Sequence, residues 1–100
     1  MKKKTKQYSV DGLKLIEVLS VKLKEKGYKI KEITQTGMII DTSSSVWSWG
    51  EEMSVLVNNE NQGCTITVTS DTKYQLTDWG KSEENIDEVF AIIDDLVESQ

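Results

Sequence analysis

The chain contains no histidine, no proline and one cysteine, and all twelve of its basic residues are lysine. Without histidine, the commonest general base and metal ligand is missing, and with it the ordinary Ser–His and Cys–His catalytic pairs. A single cysteine, Cys64, excludes an internal disulfide and a standard structural zinc site, so nothing here demands an oxidising compartment. Lacking arginine, the chain has no planar fork for bidentate recognition of phosphate or guanine, which counts against nucleic acid as a partner. Long apolar runs are missing too, and those present fall far short of a membrane span. Met1-Lys2-Lys3-Lys4 could begin a signal peptide, but the polar Thr5-Lys6-Gln7-Tyr8-Ser9 stands where an apolar stretch should follow. The expectation is a cytoplasmic protein that engages no membrane. The lack of proline removes rigid punctuation, so strand ends are read only to within a few residues.

What is present fits one domain spanning residues 1–100: 100 residues, 37% of them hydrophobic, can close one thin core without staples. Residues 1–7 read as an arm, either disordered or an edge strand whose lysines discourage unwanted pairing. The net charge of -5 is unevenly spread. Residues 1–31 carry ten lysines against Asp11, Glu17 and Glu25, a surplus of +7, whereas residues 32–100 carry two lysines against fourteen acids, a surplus of −12. A basic arm can bind a polyanion, but the acidic remainder would repel one. Two helices of opposite charge lying side by side is the favoured explanation.

Asp11 (or Ser9) is a natural N-cap for a helix over 12–26, in which Leu15, Ile16, Leu19 and Leu23 form one apolar stripe and Gly27 ends it. Tyr28 to Ile33 alternates as a strand, with Ile33 out of parity and a bulge expected near Glu32. Thr34 to Gly37 reads as a turn, Met38 to Asp41 as a strand and Thr42 to Ser45 as a polar connection. Val46 to Val57 is the longest strand candidate, with Trp47, Trp49, Met53, Val55 and Val57 on one parity and Gly50-Glu51-Glu52 interrupting it. Asn58 to Gly63 reads as a hairpin loop and Cys64 to Ser70 as a strand with Cys64, Ile66 and Val68 inward. Asp71 to Leu76 is a connecting segment. The last helix starts after Ser82, places Glu83 and Glu84 in its first turn, and buries Ile86, Val89, Phe90, Ile93, Leu96 and Val97. Asp87, Glu88, Asp94, Asp95 and Glu98 fall on its polar side. Strands joined by short polar loops give an antiparallel meander, and two one-sided helices need its apolar face. The fold class expected is therefore α+β: a two-layer domain in which a curved antiparallel sheet carries both helices on one face.

Few constellations could carry chemistry. Adjacent carboxylates such as Glu51/Glu52 point to opposite faces of a strand, and Glu83/Glu84, Asp87/Glu88 and Asp94/Asp95 lie on a solvated helix face. No calcium loop, phosphate loop or other cofactor motif occurs, and no cofactor is expected. Cys64 alternates with Ile66 and Val68, which favours a buried inert thiol over a nucleophile. Trp47 and Trp49 share a parity: they belong either to the core under a helix, the more ordinary case, or to the uncovered sheet face as a docking patch. The junction Thr77-Asp78-Trp79-Gly80-Lys81-Ser82 is first of all a helix start, with Ser82 capping, Gly80 supplying backbone freedom and Asp78 and Lys81 pairing locally. Free N–H groups there could meet an anion, but Glu83 and Glu84 occupy the same turn and oppose one.

Trp49-Gly50-Glu51 opening a strand, Gly63 to Ser70, and Leu76-x-Asp78-Trp79-Gly80-Lys81 before a helix together resemble a group of small bacterial domains of unknown function. The resemblance spans roughly residues 8–97, and Asp-Trp-Gly-Lys is its distinctive part. Where those domains often have asparagine after the lysine, this chain has Ser82, exchanging one good N-cap for another. The resemblance implies a β-α-β4-α arrangement related to the half-repeat of the TATA-binding fold, and brings no activity or catalytic residues with it. Fold likeness alone does not assign DNA binding.

The function expected is a non-catalytic interaction or accessory module that self-associates through the open sheet face. The alternative is a small-ligand binder with a pocket between sheet and helices near Trp49 and Trp79. Trp47, Trp49, Asp78, Trp79 and Lys81 are the candidate interaction or ligand contacts.

Overall fold

The computed structural model describes residues 2–41, 51–72 and 81–99. In chain order the elements are β1 (Lys2–Tyr8), α1 (Gly12–Glu25), β2 (Lys29–Thr34), β3 (Gly37–Asp41), β4 (Glu51–Glu60), β5 (Gly63–Thr72) and α2 (Lys81–Glu98). The strands form one curved, open antiparallel sheet in the order β1-β5-β4-β3-β2, with both helices on one face. The two-layer α+β architecture follows from the apolar stripes, which only a shared sheet face can bury.

Asp11 caps α1 as its position predicts, its carboxylate accepting from the Leu13 N–H at 3.0 Å. A second free N–H of that end, Gly12's, donates to the Asn59 side-chain oxygen at 2.9 Å, so β4 completes the cap from across the molecule. Gly12 itself is buried: a Cβ there would press into Val57 and lie 2.7 Å from the Cys64 Cβ. Leu15, Leu19 and Leu23 are wholly buried and Ile16 nearly so. The helix ends at Glu25, and Gly27 follows with φ 96°, the left-handed conformation that glycine adopts without a Cβ penalty. The last helix begins at Lys81, so Ser82 lies inside it rather than capping it. Glu83 and Glu84 keep their favourable place in its first turn. Ile86, Val89, Phe90 and Ile93 are buried together with Ile92, while Leu96 and Val97 pack at the margin.

The strands follow their parities. Met38 and Ile40, Met53, Val55 and Val57, and Cys64, Ile66 and Val68 all point under the helices. Pairing of β2 with β3 slips between Ile30 and Glu32, which is the expected bulge. The slip places Ile33 opposite Met38, on the helix-bearing side, where it is still 49% exposed at the sheet's edge. Asp71 and Thr72, read as the start of a connecting segment, are instead the last residues of β5. Two further expectations change. Asn58 to Gly63 is not a loop: β4 and β5 stay paired to Glu60↔Gly63, leaving only Asn61 and Gln62 as the turn. A ladder is held by backbone hydrogen bonds and does not need apolar side chains, and here it carries Asn59 to the α1 cap. The opposite charges, secondly, form ion pairs between β1 and α2, while the two helices lie side by side as expected. Thr42 to Ser45, the Val46 to Gly50 part of the long strand and Lys73 to Leu76 lie outside the described residues. Among the described residues, no helix is long and apolar enough to cross a membrane.

Candidate functional site

Antiparallel alternation divides the side chains of the sheet between two surfaces, and β1 shows the division most plainly. Lys4, Lys6 and Tyr8 are registered with Val68, Ile66 and Cys64, so they lie on the helix side beside α2. Lys4 Nζ lies 2.6 Å from Asp87 Oδ1, and Lys6 Nζ lies 3.0 Å from Asp94 Oδ2. The Tyr8 hydroxyl donates to Asp94 Oδ1 at 2.7 Å. The Lys6 ammonium also sits 5.6 Å from the Tyr8 ring centre and 5.7 Å from that of Phe90, a position in which the ring faces favour a cation. This seam ties the edge strand to the last helix. Asp94, assigned to the polar side of α2, is in fact half-buried on its boundary with β1. The lysine alternation of β1 set against acids on α2 carried that signal, but only once β1 is known to neighbour β5.

The seam shifts its own acid–base behaviour. Burial pushes the Asp94 carboxyl up, but hydrogen bonds from Tyr8 and Lys6 outweigh it and hold the group below its ordinary value. Burial first, then the bond to Asp94, raises the Tyr8 hydroxyl, and burial with the nearby Glu88 carboxylate pushes Tyr28 up to about 12. The Asp94 contribution to stability is present above its unfolded pKa and lost as pH falls through its lowered folded value. The Tyr28 contribution is present below its ordinary 10.0 and lost as pH rises through about 12. Tyr8→Phe is expected to raise the Asp94 pKa, read by carboxyl-carbon NMR titration, and to lower stability by about 1 kcal/mol, a modest figure because the Asp94 side chain is 41% exposed. An unchanged Asp94 titration would show that the hydroxyl does not hold the carboxylate.

The second surface of the sheet is covered by no described element. Its register rows run Lys3–Thr69–Ser54–Ile39–Glu32 and Thr5–Thr67–Leu56–Gly37–Thr34 from β1 to β2. Thr65, Thr67 and Thr69 line it as their parity predicts, and the Thr5 and Thr67 hydroxyls are 3.2 Å apart. At its centre, on the middle strand, Leu56 is 57% exposed, and a groove of about 220 Å³ runs beside it along Ile39, Ser54, Gly37 and Glu32. Lys31 reaches Glu52 across β3, Nζ to Oε2, at 2.7 Å. A third region, a polar depression of about 680 Å³, lies beside the β4–β5 turn between Tyr8, Glu60 and Gly63.

Of the residues singled out by sequence, Lys81 is the first residue of α2, while Trp47, Trp49, Asp78 and Trp79 lie outside the described residues, as does the expected pocket near Trp49 and Trp79. Cys64 is buried with Ile66 and Val68, and burial, helped by Asp11 and Glu60, raises its thiol pKa, which disfavours the reactive thiolate. Comparison with known protein families and with curated proteins finds no match to this chain. Among the described residues, no three His, Cys, Asp or Glu side chains converge as metal ligands. Leu56, at the centre of the open sheet face, is the residue missed by attention to the tryptophans. Its signal was available in the sequence, as the one apolar residue out of parity between Val55 and Val57.

Proposed function

We propose that the chain is a non-catalytic interaction module, of the kind its Asp-Trp-Gly-Lys junction resembles in small bacterial domains, acting in the cytoplasm and self-associating through the open sheet face. The observation that carries the reading is Leu56, a large apolar side chain 57% exposed in the middle of the central strand. Exposed apolar groups scattered singly are ordinary, but this one adjoins Ile39 and a groove, beside the short Thr65, Thr67 and Thr69 of the neighbouring strand. Five strands spaced about 4.8 Å apart and up to ten residues long make a face of roughly 600 Å². Two such faces together reach the ~1,000 Å² that a specific contact needs.

The edges of the sheet are poorer contact sites. β1 is laden with lysine, and β2 carries a bulge between Ile30 and Glu32, both of which blunt strand-to-strand addition. Self-association should therefore appear in sedimentation as a mass that grows with concentration. Leu56→Lys is expected to weaken it at least about tenfold, since it replaces an apolar contact by a charge that must be desolvated. The exposed position should leave the circular dichroism spectrum and melting unchanged. A variant that sediments as the wild type does would sink the assignment of this face.

A further inference from the structure

We infer that the place β1 occupies is a strand-acceptor site, formed by the edge of β5 and the acids of α2, which takes β1 of a second copy in exchange for its own. Whereas β3, β4 and β5 send apolar side chains under the helices, β1 has six exposed residues of seven and only Tyr8 half-buried. Its attachment is the backbone ladder to β5, from Lys2↔Ser70 to Tyr8↔Cys64, together with the Lys4–Asp87, Lys6–Asp94 and Tyr8–Asp94 contacts. Main-chain hydrogen bonds plus alternate side chains are how an extended segment is recognised at a sheet edge, and neither requires the segment to belong to the same chain. Glu83, Asp87 and Asp94 of α2 face β1. The segment that fits is therefore extended, with lysine at alternate positions and a tyrosine two residues on, as in Lys4-Thr5-Lys6-Gln7-Tyr8.

β5 does not favour an empty site. Removing β1 leaves its N–H and C=O groups unpaired beside Ile66 and Val68, in a strand with no charge from Gly63 to Ser70. An identical strand from another copy restores every contact. The connection permits this. Tyr8 pairs with Cys64, and Gly12, four residues on, lies against the same Cys64, so Ser9, Val10 and Asp11 turn the chain from the sheet into the helix layer. Asp11 is held as the α1 cap, which leaves Ser9 and Val10 as the hinge. Polar depressions of about 680 Å³ and 320 Å³ border Ser9 and give a straightened hinge room. Short hinges favour such reciprocal exchange, which closes at two chains. The incoming strand replaces β1 and adds nothing beside it, so the lysine-laden outer edge is no obstacle. Within one chain the tether keeps its own β1 in place through a high effective concentration, so exchange shows once that strand is repelled.

The test uses full chains that all carry Leu56→Lys, so that the open face plays no part. One adds Lys4→Glu with Lys6→Glu, the other Asp87→Lys with Asp94→Lys. Each alone repels its own β1, in one chain or between copies, and its β1 amides are expected to exchange with solvent at least about tenfold faster than those of the Leu56→Lys parent. Mixed, the two satisfy every pair in a single arrangement: the glutamate-bearing β1 on the lysine-bearing helix, and the unaltered β1 on the unaltered helix. A two-chain species with β1 protection restored is expected. A mixture whose β1 amides stay unprotected overturns the exchange, and because protection is read apart from mass, that result is distinct from a failure of the open-face contact. Should the altered α2 not fold, a dye-labelled peptide with the sequence of residues 1–9 is titrated against the Lys4→Glu/Lys6→Glu chain. It is expected to bind at least about tenfold more tightly than to the parent, whose own β1 competes. Equal binding to the two, or none, overturns the acceptor site.

Discussion

Gly63→Ala is expected to destabilise the fold by about 3 kcal/mol, the largest effect of any single methyl group added to the described glycines. Gly63 begins β5 with φ 156°, and a Cβ there would run into the backbone carbonyl oxygen of Tyr8 and lie 3.1 Å from the Ser9 Cα. These neighbours are backbone, so no rotamer change relieves the collision. The end of β1 has to move off β5, breaking the Tyr8↔Cys64 pairing and drawing the Tyr8 hydroxyl away from Asp94. Unfavourable φ contributes about 1–2 kcal/mol and the lost charged hydrogen bond about another 1, with the displaced strand end making up the rest. For a chain of this size the melting temperature should fall by roughly 15 °C. Gly27→Ala is the control: its φ of 96° carries strain, but nothing lies within 4 Å of the added Cβ, so about 1 kcal/mol is expected. Equal losses in the two variants, measured by thermal and urea unfolding, would show that β1 does not press on Gly63.

Local physics made much of this fold readable. The Leu15–Leu23 and Ile86–Ile93 stripes, the Asp11 cap, the Gly27 stop and the inward parity of Cys64, Ile66 and Val68 depend on neighbours within a few residues, and all are as the pattern implies. What escaped depends on contacts far along the chain. Asn58, Asn59 and Glu60 have turn-like composition, yet they continue a ladder because β5 is in register beside them and Asn59 is engaged by Gly12 N–H, 47 residues away. β1 has no apolar stripe to identify it. It is a strand because its lysines find Asp87 and Asp94 on a helix more than eighty residues later. The charge asymmetry between the two ends of the chain thus had a real structural meaning, reaching β1 as well as the neighbouring helices. Leu56 was visible as a parity violation, but the three tryptophans drew the functional reading away from it, and the register rows that surround it exist only once strand order is known.

Leu19→Ala is expected to cost about 3–4 kcal/mol, in contrast with less than about 0.5 kcal/mol for Val21→Ala two residues away. Leu19 is wholly buried at the middle of the α1 stripe, within the cluster formed by both helices and the sheet, whereas Val21 is 59% exposed on the opposite side of the same helix. Truncating Leu19 removes the transfer free energy of its outer carbons and also leaves a void that close-packed neighbours fill only in part. Neither change alters helix propensity for the worse, because alanine is the best helix former, so the difference isolates burial. The consequence for function follows from the layer arrangement. Helices and the proposed contact surface lie on opposite sides of one sheet, so, if the open face associates as proposed, Leu19→Ala should lower the urea midpoint while the folded fraction still associates through Leu56 with wild-type affinity. Leu56→Lys should do the reverse, leaving the midpoint of the monomer in place and abolishing association. Were the Leu19 variant to lose association at concentrations of denaturant where it is still folded, the two faces of the sheet would not be independent, and strand curvature set by the core would be controlling the contact surface.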